Sequence, residues 1–151
     1  MTLFGQTYYA YATNSVAGNI QIISSSDLTH WTSVGNALPS LPGWAKPNET
    51  WAPSVARVNG TYLMYYTADF APSGTQCVSV ASASGPQGPF IDNSVLPLEC
   101  QQSLGGSIDP SRVNDCHAKS RVGQKAKGHG GRNSRGEGEI VVAAIVNRRK
   151  G

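Results

Sequence analysis

The stretch Thr7-Tyr8-Tyr9-Ala10-Tyr11-Ala12-Thr13 and a second copy, Thr61-Tyr62-Leu63-Met64-Tyr65-Tyr66-Thr67, lie 54 positions apart in the sequence. Each copy is followed by a second apolar run, Asn19–Ile23 or Cys77–Ala81, that leads into a serine-rich segment. Aromatic and β-branched residues in alternation are typical of strands, and Gly, Asn and Ser clusters are typical of turns. Two hairpins of a β-sandwich could look similar, but a matching order and a spacing of about 50 residues favour the blades of a β-propeller.

The composition also indicates a loop-rich all-β protein. Of the 151 residues, 17 are Gly and 9 are Pro, whereas only 14% are charged, a balance that suits neither a helical nor a disordered chain. No apolar stretch approaches the roughly 18 residues of a membrane span. Residues 1–5 lack the basic start and long apolar run of a secretory signal, so we expect either a cytosolic protein or a start that lies upstream.

The chain divides into two unlike parts. Residues 1–112 contain three basic and six acidic residues and all twelve aromatic ones, whereas residues 113–151 contain nine basic and three acidic residues. We therefore expect a folded domain over 1–112 and an irregular, basic, Gly-rich tail over 113–151, which a frameshift or retained intron would explain. Within that tail, Glu139–Val146 could form a strand by propensity alone.

Six short motifs follow one another in the first part of the chain. They are Tyr11–Asn14, Ser24–Trp31, Trp51–Val55, Tyr65–Thr67, Ala81–Phe90 and Ile108–Ser111. This ordered set resembles glycoside hydrolase family 43, the arabinofuranosidases, β-xylosidases and arabinanases. Each motif alone is weak, and their order over about residues 5–112 carries the resemblance.

The resemblance implies a five-bladed β-propeller, of which this chain would contain two blades and the start of a third. It also implies an inverting mechanism with a carboxylate base, a carboxylic acid and a third carboxylate that tunes the acid. Inversion requires the base and the acid to lie about 6.5–9.5 Å apart, with a water between them. The third negative charge raises the pKa of the acid by repulsion between like charges.

Two residues take site roles by this resemblance. Asp109, in Ile108–Ser111, matches the tuning carboxylate, and Pro110 should hold it in an extended conformation; an ordinary Asp-Pro turn is the alternative. Trp51 matches a tryptophan beside the sugar pocket, where an indole face suits a sugar ring; a core tryptophan between two blades is the alternative. No match is found for the base or for the general acid, and Glu137 and Glu139 lack the surroundings of the acid.

The cysteines give information about the cellular compartment of the protein. Cys77 and Cys100 match cysteines of similar fungal members, which implies a disulfide and a secreted origin. The triplets that begin at Asn48 and Asn59 are acceptor sequences for N-glycosylation and agree with that compartment. Cys116 has no such match. The three histidines do not have metal-ligand spacing with the cysteines, so neither a metal site nor another cofactor is expected.

We therefore predict a glycoside hydrolase of plant cell-wall arabinan or xylan, truncated and inactive in this chain. The expected partner is a polysaccharide or oligosaccharide substrate. A noncatalytic sugar-binding propeller, which would keep Trp51 and lose the acids, is one alternative. A nucleic-acid-binding protein that acts through its basic tail is another, although that tail has no aromatic residue for base stacking.

Overall fold

A computed structural model describes residues 1–114 and 140–146 of the chain and confirms the all-β class. The described strands are β1 Thr2–Phe4, β2 Thr7–Ala12, β3 Gln21–Ser25, β4 Thr32–Asn36, β5 Ala45–Val58, β6 Thr61–Phe70, β7 Thr75–Ala83, β8 Ser107–Asn114 and β9 Ile140–Val146. Among the described residues the only helical segment is a single 3-10 turn, Gln102–Leu104. No helix in this part of the chain is long and apolar enough to cross a membrane.

The strands form three antiparallel sheets that follow one another along the chain. Their orders are β1-β2-β3-β4, β5-β6-β7 and β8-β9, so each strand pairs with its neighbour in sequence. Short connections between sequential strands are the expected way to build such meanders. The arrangement agrees with the consecutive blades that the internal repeat predicts.

The repeat is confirmed as a repeat of paired strands. Its two copies lie in β2 and β6, and each copy pairs with the strand that follows it: Tyr8 pairs with Ser25 of β3, and Tyr62 pairs with Ala83 of β7. The preceding strands repeat as well. In the first sheet, Thr2 pairs with Tyr9. The residues 54 positions later, Ala56 and Leu63, pair with each other in the second sheet. The structural unit therefore includes β1, whose three residues are too few to give a sequence signal.

A tight turn joins the two longest strands. Asn59 and Gly60 connect β5 to β6 with φ angles of 48° and 85°. Positive φ at both central residues defines a turn whose twist matches that of the flanking strands, and Asn-Gly is its preferred sequence. The turn fixes the pairing of Val58 with Thr61, and hence the register of the two strands as far as the pairing of Ser54 with Tyr65.

The core lies between the first and second sheets, and the segment after β7 joins them. The first sheet contributes Tyr9 and Ile22, Ile20 lies just before β3, and the second sheet contributes Val55, Met64, Tyr66 and Ala81. Phe90, which is 1% exposed, packs into this cluster. Its N–H donates to the Ala37 carbonyl (2.8 Å), while Ile91 exchanges two backbone hydrogen bonds with Ser82 of β7. The two sheets therefore share one core.

The third sheet extends into the segment that we expected to be an irregular tail. β8 crosses the boundary that we expected at residue 112, and its partner β9 covers residues 140–146. Residues 113–114 and 140–146 are therefore strand, as the propensity of Ile140–Val146 allowed, because seven apolar residues found an antiparallel partner in β8. Glu137, Glu139 and Cys116 lie outside the described residues, as does the rest of the basic stretch.

Candidate active site

Asp109 lies at a bulge in β8. The pairing with β9 passes from Ile108 opposite Ile145 to Ser111 opposite Ala143 and omits Asp109 and Pro110. Asp109 has a φ of 52°, so the extended conformation that we expected before Pro110 is wrong. The left-handed region is uncommon for a residue that is not glycine and that precedes proline. The residue is exposed to solvent.

Trp51 lies at a second bulge, in β5. The pairing with β6 passes from Trp51 opposite Thr67 to Ser54 opposite Tyr65, and Ala52 between them has a φ of 50°. Trp51 is half-buried, so part of the residue remains accessible to a ligand. The tryptophan that packs in the core is Trp44, which is 6% exposed. The stacking role of Trp51 stays a prediction.

The two bulges repeat the same local structure. Ala52-Pro53-Ser54 and Asp109-Pro110-Ser111 lie 57 positions apart, and their first residues share nearly the same φ, 50° and 52°. Bulges re-aim side chains and are frequent next to active sites. This equivalence was not predicted from the sequence, although the shared Pro-Ser pair is a signal that could have revealed it.

Thr67 connects the two bulges. It lies in β6, the central strand of the second sheet, and pairs with Trp51 on β5. Its Oγ1 accepts a hydrogen bond from the backbone N–H of Asp109 at 3.2 Å, and the residue is fully buried. The structure thus brings both sequence-predicted site residues to one threonine. Sequence analysis placed Thr67 in the Tyr65–Thr67 motif and gave it no role.

The tyrosines of that motif serve packing and a buried polar cluster. Burial raises the pKa of Tyr65 above its usual value. Burial, and then the neighbouring Asp92, raise the pKa of Tyr66, which stays protonated. The Tyr66 hydroxyl donates to Asp92 at 2.8 Å, and the Ser79 hydroxyl donates to the same oxygen at 2.6 Å. Asp92 therefore ties the segment after β7 to β6 and β7.

Two other carboxylates also have local partners. Asp27 accepts backbone and side-chain hydrogen bonds from His30 and a backbone bond from Thr29, and these contacts lower its pKa. Glu49 lies 3.7 Å from the Lys46 ammonium group.

The two bulges together present one exposed carboxylate, that of Asp109, and one partly exposed tryptophan, Trp51, to a ligand.

The disulfide lies next to the site strands. Cys77 of β7 and Cys100 are bonded, with their Cα atoms 4.5 Å apart, which is within the normal range for a disulfide. The adjacent Val78 exchanges two backbone hydrogen bonds with Glu99. These contacts hold the segment before β8 against β7. Within residues 1–114 and 140–146, no group of three or more His, Cys, Asp or Glu side chains could hold a metal ion.

Comparison with known proteins identifies relatives of this arrangement. A family model, Glycosyl hydrolases family 43, matches residues 1–149. A protein named probable arabinan endo-1,5-alpha-L-arabinosidase C, from Aspergillus niger, is 36% identical over 112 residues, which cover 71% of this chain and 34% of that protein. The extracellular endo-alpha-(1->5)-L-arabinanase 1 of Bacillus subtilis is 26% identical over 119 residues, which cover 74% of this chain and 37% of that protein.

A solved structure supports the same family assignment as the family model and the two relatives. The crystal structure of a thermostable family-43 glycoside hydrolase superposes with a TM-score of 0.66 and 30% identity, and the match covers 76% of this chain and 36% of that chain. The chain spans about a third of the length of the curated relatives it matches. The family match continues to residue 149, beyond the last of the six motifs. On these grounds the chain belongs to family 43 of the glycoside hydrolases.

Proposed function

We propose that this chain is part of a secreted five-bladed propeller that hydrolyses arabinan-type polysaccharides with inversion. The observation that supports this most is the convergence of Asp109 and Trp51 on Thr67 at two equivalent bulges. The names of the relatives support the substrate class, since two of them are described as endo-acting arabinanases. The disulfide between Cys77 and Cys100 supports an oxidising compartment.

In this proposal Asp109 tunes a general acid and does not itself attack the sugar. An acid must stay protonated near neutral pH while the base stays ionised, so their surroundings must differ. A carboxylate near the acid raises its pKa by like-charge repulsion. Trp51 offers an apolar face to the C–H surface of a sugar ring, which removes that surface from water.

The chain of 151 residues is itself inactive in this proposal. The sequence motifs identify neither the base nor the general acid in it, and each typically supplies a factor of about 10² or more in rate. We expect no measurable nitrophenol release from nitrophenyl arabinofuranoside or xyloside, and no cleavage of linear arabinan. Asp109→Asn should not change that result, because no acid is present to be tuned.

The decisive experiment restores the flanking sequence on both sides and compares two carboxylates. In the longer protein, Asp109→Asn should lower kcat by about 10²-fold or more. It should also move the alkaline limb of the pH profile to lower pH, because the acid loses the charge that raised its pKa. Glu49→Gln is the matched control, since Glu49 is paired with the exposed Lys46 and has no role in the proposed site, and it should leave kcat unchanged.

Two results would contradict the proposal. Turnover by the 151-residue chain that Asp109→Asn abolishes would mean that this chain holds the complete catalytic set. Oligosaccharide binding without any turnover by the longer protein, weakened by Trp51→Ala, would favour the noncatalytic sugar-binding propeller. The nucleic-acid-binding alternative rests on residues outside the described part of the chain and stays a prediction.

A further inference from the structure

Asp109 holds a backbone conformation that it would not adopt by local preference. Its φ of 52° before a proline is disfavoured, and such strain persists only where surrounding structure enforces it. The bulge removes the usual support, because Asp109 has no pairing partner on β9. Something outside the β8-β9 ladder must therefore hold this residue.

A hydrogen bond from outside that ladder joins Asp109 to Thr67. The Asp109 N–H is left without a ladder partner and donates instead to Thr67 Oγ1 at 3.2 Å. Thr67 is fully buried, and a buried polar group that lacks a partner is costly, so the Thr67 hydroxyl favours this bond. Thr67 is itself held rigidly, because it is fully buried and pairs with Trp51 on one side and Val78 on the other.

We propose that Thr67 is a positioning residue, which fixes the backbone of Asp109 and thereby the direction of its carboxyl group relative to Trp51. The hydroxyl acts through the Asp109 amide and does not touch the substrate. The equivalent bulge at Ala52 shares the left-handed φ, and Trp51, which begins it, faces Thr67 across the β5-β6 ladder. One residue therefore links the two bulges, through its ladder pairing with Trp51 and through its hydroxyl bond to the Asp109 amide. This inference rests on the proposed function of Asp109.

The test compares two buried threonines by NMR of the 151-residue chain. Thr67→Val keeps the shape of the side chain and removes the acceptor, so hydrogen exchange at the Asp109 amide should accelerate roughly tenfold or more. The amide and carboxyl resonances of Asp109 should shift with it. Thr67→Ser, which keeps the hydroxyl, should restore the exchange rate and the shifts to within about threefold of the unaltered protein.

Thr50→Val is the matched control. Thr50 is also fully buried and lies in the adjacent strand β5, but its hydroxyl donates to the Asn19 carbonyl at 2.7 Å. This variant should lose comparable stability and leave the Asp109 amide unaffected. Should Thr67→Val not fold, Thr67→Ala against Thr67→Ser makes the same comparison, since those two variants differ by a single oxygen atom.

The possible results separate this inference from the proposed function. Unchanged exchange at Asp109 in Thr67→Val, or equal acceleration in Thr50→Val, would overturn the positioning role. If the Asp109 amide responds to Thr67 alone, yet Asp109→Asn leaves kcat of the longer protein unchanged, the positioning stands and the catalytic role of Asp109 is wrong. If Asp109→Asn lowers kcat of the longer protein, but Thr67→Val leaves hydrogen exchange at the Asp109 amide unchanged, the catalytic role stands and the positioning is wrong.

Discussion

Ala52 occupies the same backbone conformation as Asp109 without carrying a functional side chain. An alanine in the left-handed region costs about 1–2 kcal/mol, because its Cβ crowds the following carbonyl oxygen. Glycine has no Cβ and avoids that cost, but it loses about 0.5–1 kcal/mol through the greater freedom of the unfolded chain. The balance at this position therefore favours glycine slightly.

We predict that Ala52→Gly leaves the free energy of unfolding unchanged or raises it by up to about 1 kcal/mol. Ala56→Gly is the control, because Ala56 lies in the same strand, is fully buried and has no left-handed φ. It should lose about 0.5–1 kcal/mol or more. Urea unfolding of both variants checks the difference, and equal losses would show that residue 52 carries no backbone strain.

Tyr66 predicts how stability depends on alkaline pH. Burial, and then Asp92, raise its pKa in the folded protein above the ordinary value of 10.0. The contribution of this group is therefore fully present below about pH 10 and is lost as the pH rises above it, because only the unfolded state then ionises. Burial also raises the pKa of Tyr11 and Tyr65, so these residues add to the same loss.

The test is a series of urea unfolding curves between pH 7 and 11. The unaltered protein should lose stability above about pH 10. Tyr66→Phe should be less stable by about 1–3 kcal/mol at pH 7, since Asp92 loses one donor, and its decline above pH 10 should be shallower. A decline as steep as that of the unaltered protein would show that Tyr66 does not contribute to it.

Some site residues can be identified from sequence motifs, whereas others can be recognised only from their tertiary contacts. Asp109 and Trp51 stand in motifs, and in the structure each is linked to Thr67. The conformation of Asp109 was predicted wrongly, because the preference before proline is local whereas the bulge and the bond to Thr67 are tertiary. The link between Thr67 and Asp109 spans 42 positions, and no local pattern in the sequence encodes it.

At the level of strands, the approach of β8 to β7 depends on Gly106. This glycine has a φ of 106°, and a Cβ added there would lie 2.4 Å from the Gln76 backbone carbonyl oxygen. The obstacle is backbone within a paired strand, so it cannot move aside as a flexible side chain would. A side chain at residue 106 would therefore push the start of β8 away from the second sheet.

We predict that Gly106→Ala lowers the free energy of unfolding by about 2–5 kcal/mol, which combines backbone strain with overpacking. Gly60→Ala is the control, because its φ is 85° but nothing lies within 4 Å of an added Cβ. It should lose only about 1–2 kcal/mol. Thermal or urea unfolding distinguishes the two variants, and equal losses would mean that β8 can retreat from β7 without cost.

The strands differ in how well they can be predicted from local sequence patterns. The hairpins around Tyr8–Thr13 and Tyr62–Thr67 were predictable, because aromatic alternation and turn residues coincide there. β1 was not, since three residues are too few for periodicity. β9 was recognised only as a propensity, because its pairing with β8 brings together residues on either side of a Lys- and Arg-rich stretch.

For the molecule as a whole, the disulfide makes a measurable contribution to stability. Cys77 and Cys100 are 23 positions apart, and closing a loop of that size stabilises by about 3 kcal/mol on the chain-entropy estimate. We predict that peptide mapping without reductant links the two cysteines, and that reduction lowers the free energy of unfolding by about that amount. Cys116→Ser is the control and should change neither result. A peptide that links Cys116 to Cys77 or Cys100 would contradict the assignment.

The order of sheets along the chain was predictable, and their total number was not. The repeat at 54 positions predicts successive similar units, and the three antiparallel sheets agree with it. The chain covers about a third of its curated relatives, so the five blades remain part of the proposed function. The boundary at residue 112 was drawn from a change in composition, which need not coincide with the end of a strand.

The position of Phe90 has a consequence for how the protein is made. Leu38 is fully buried in the same core cluster as Phe90, although 52 positions of sequence separate them. A ribosome that adds about 5–20 residues per second needs roughly 3–10 s to travel that distance. For those seconds Ile20, Ile22 and Leu38, in and beside the nascent first sheet, lack part of the core cluster in which they are buried, and a chaperone would then meet them exposed.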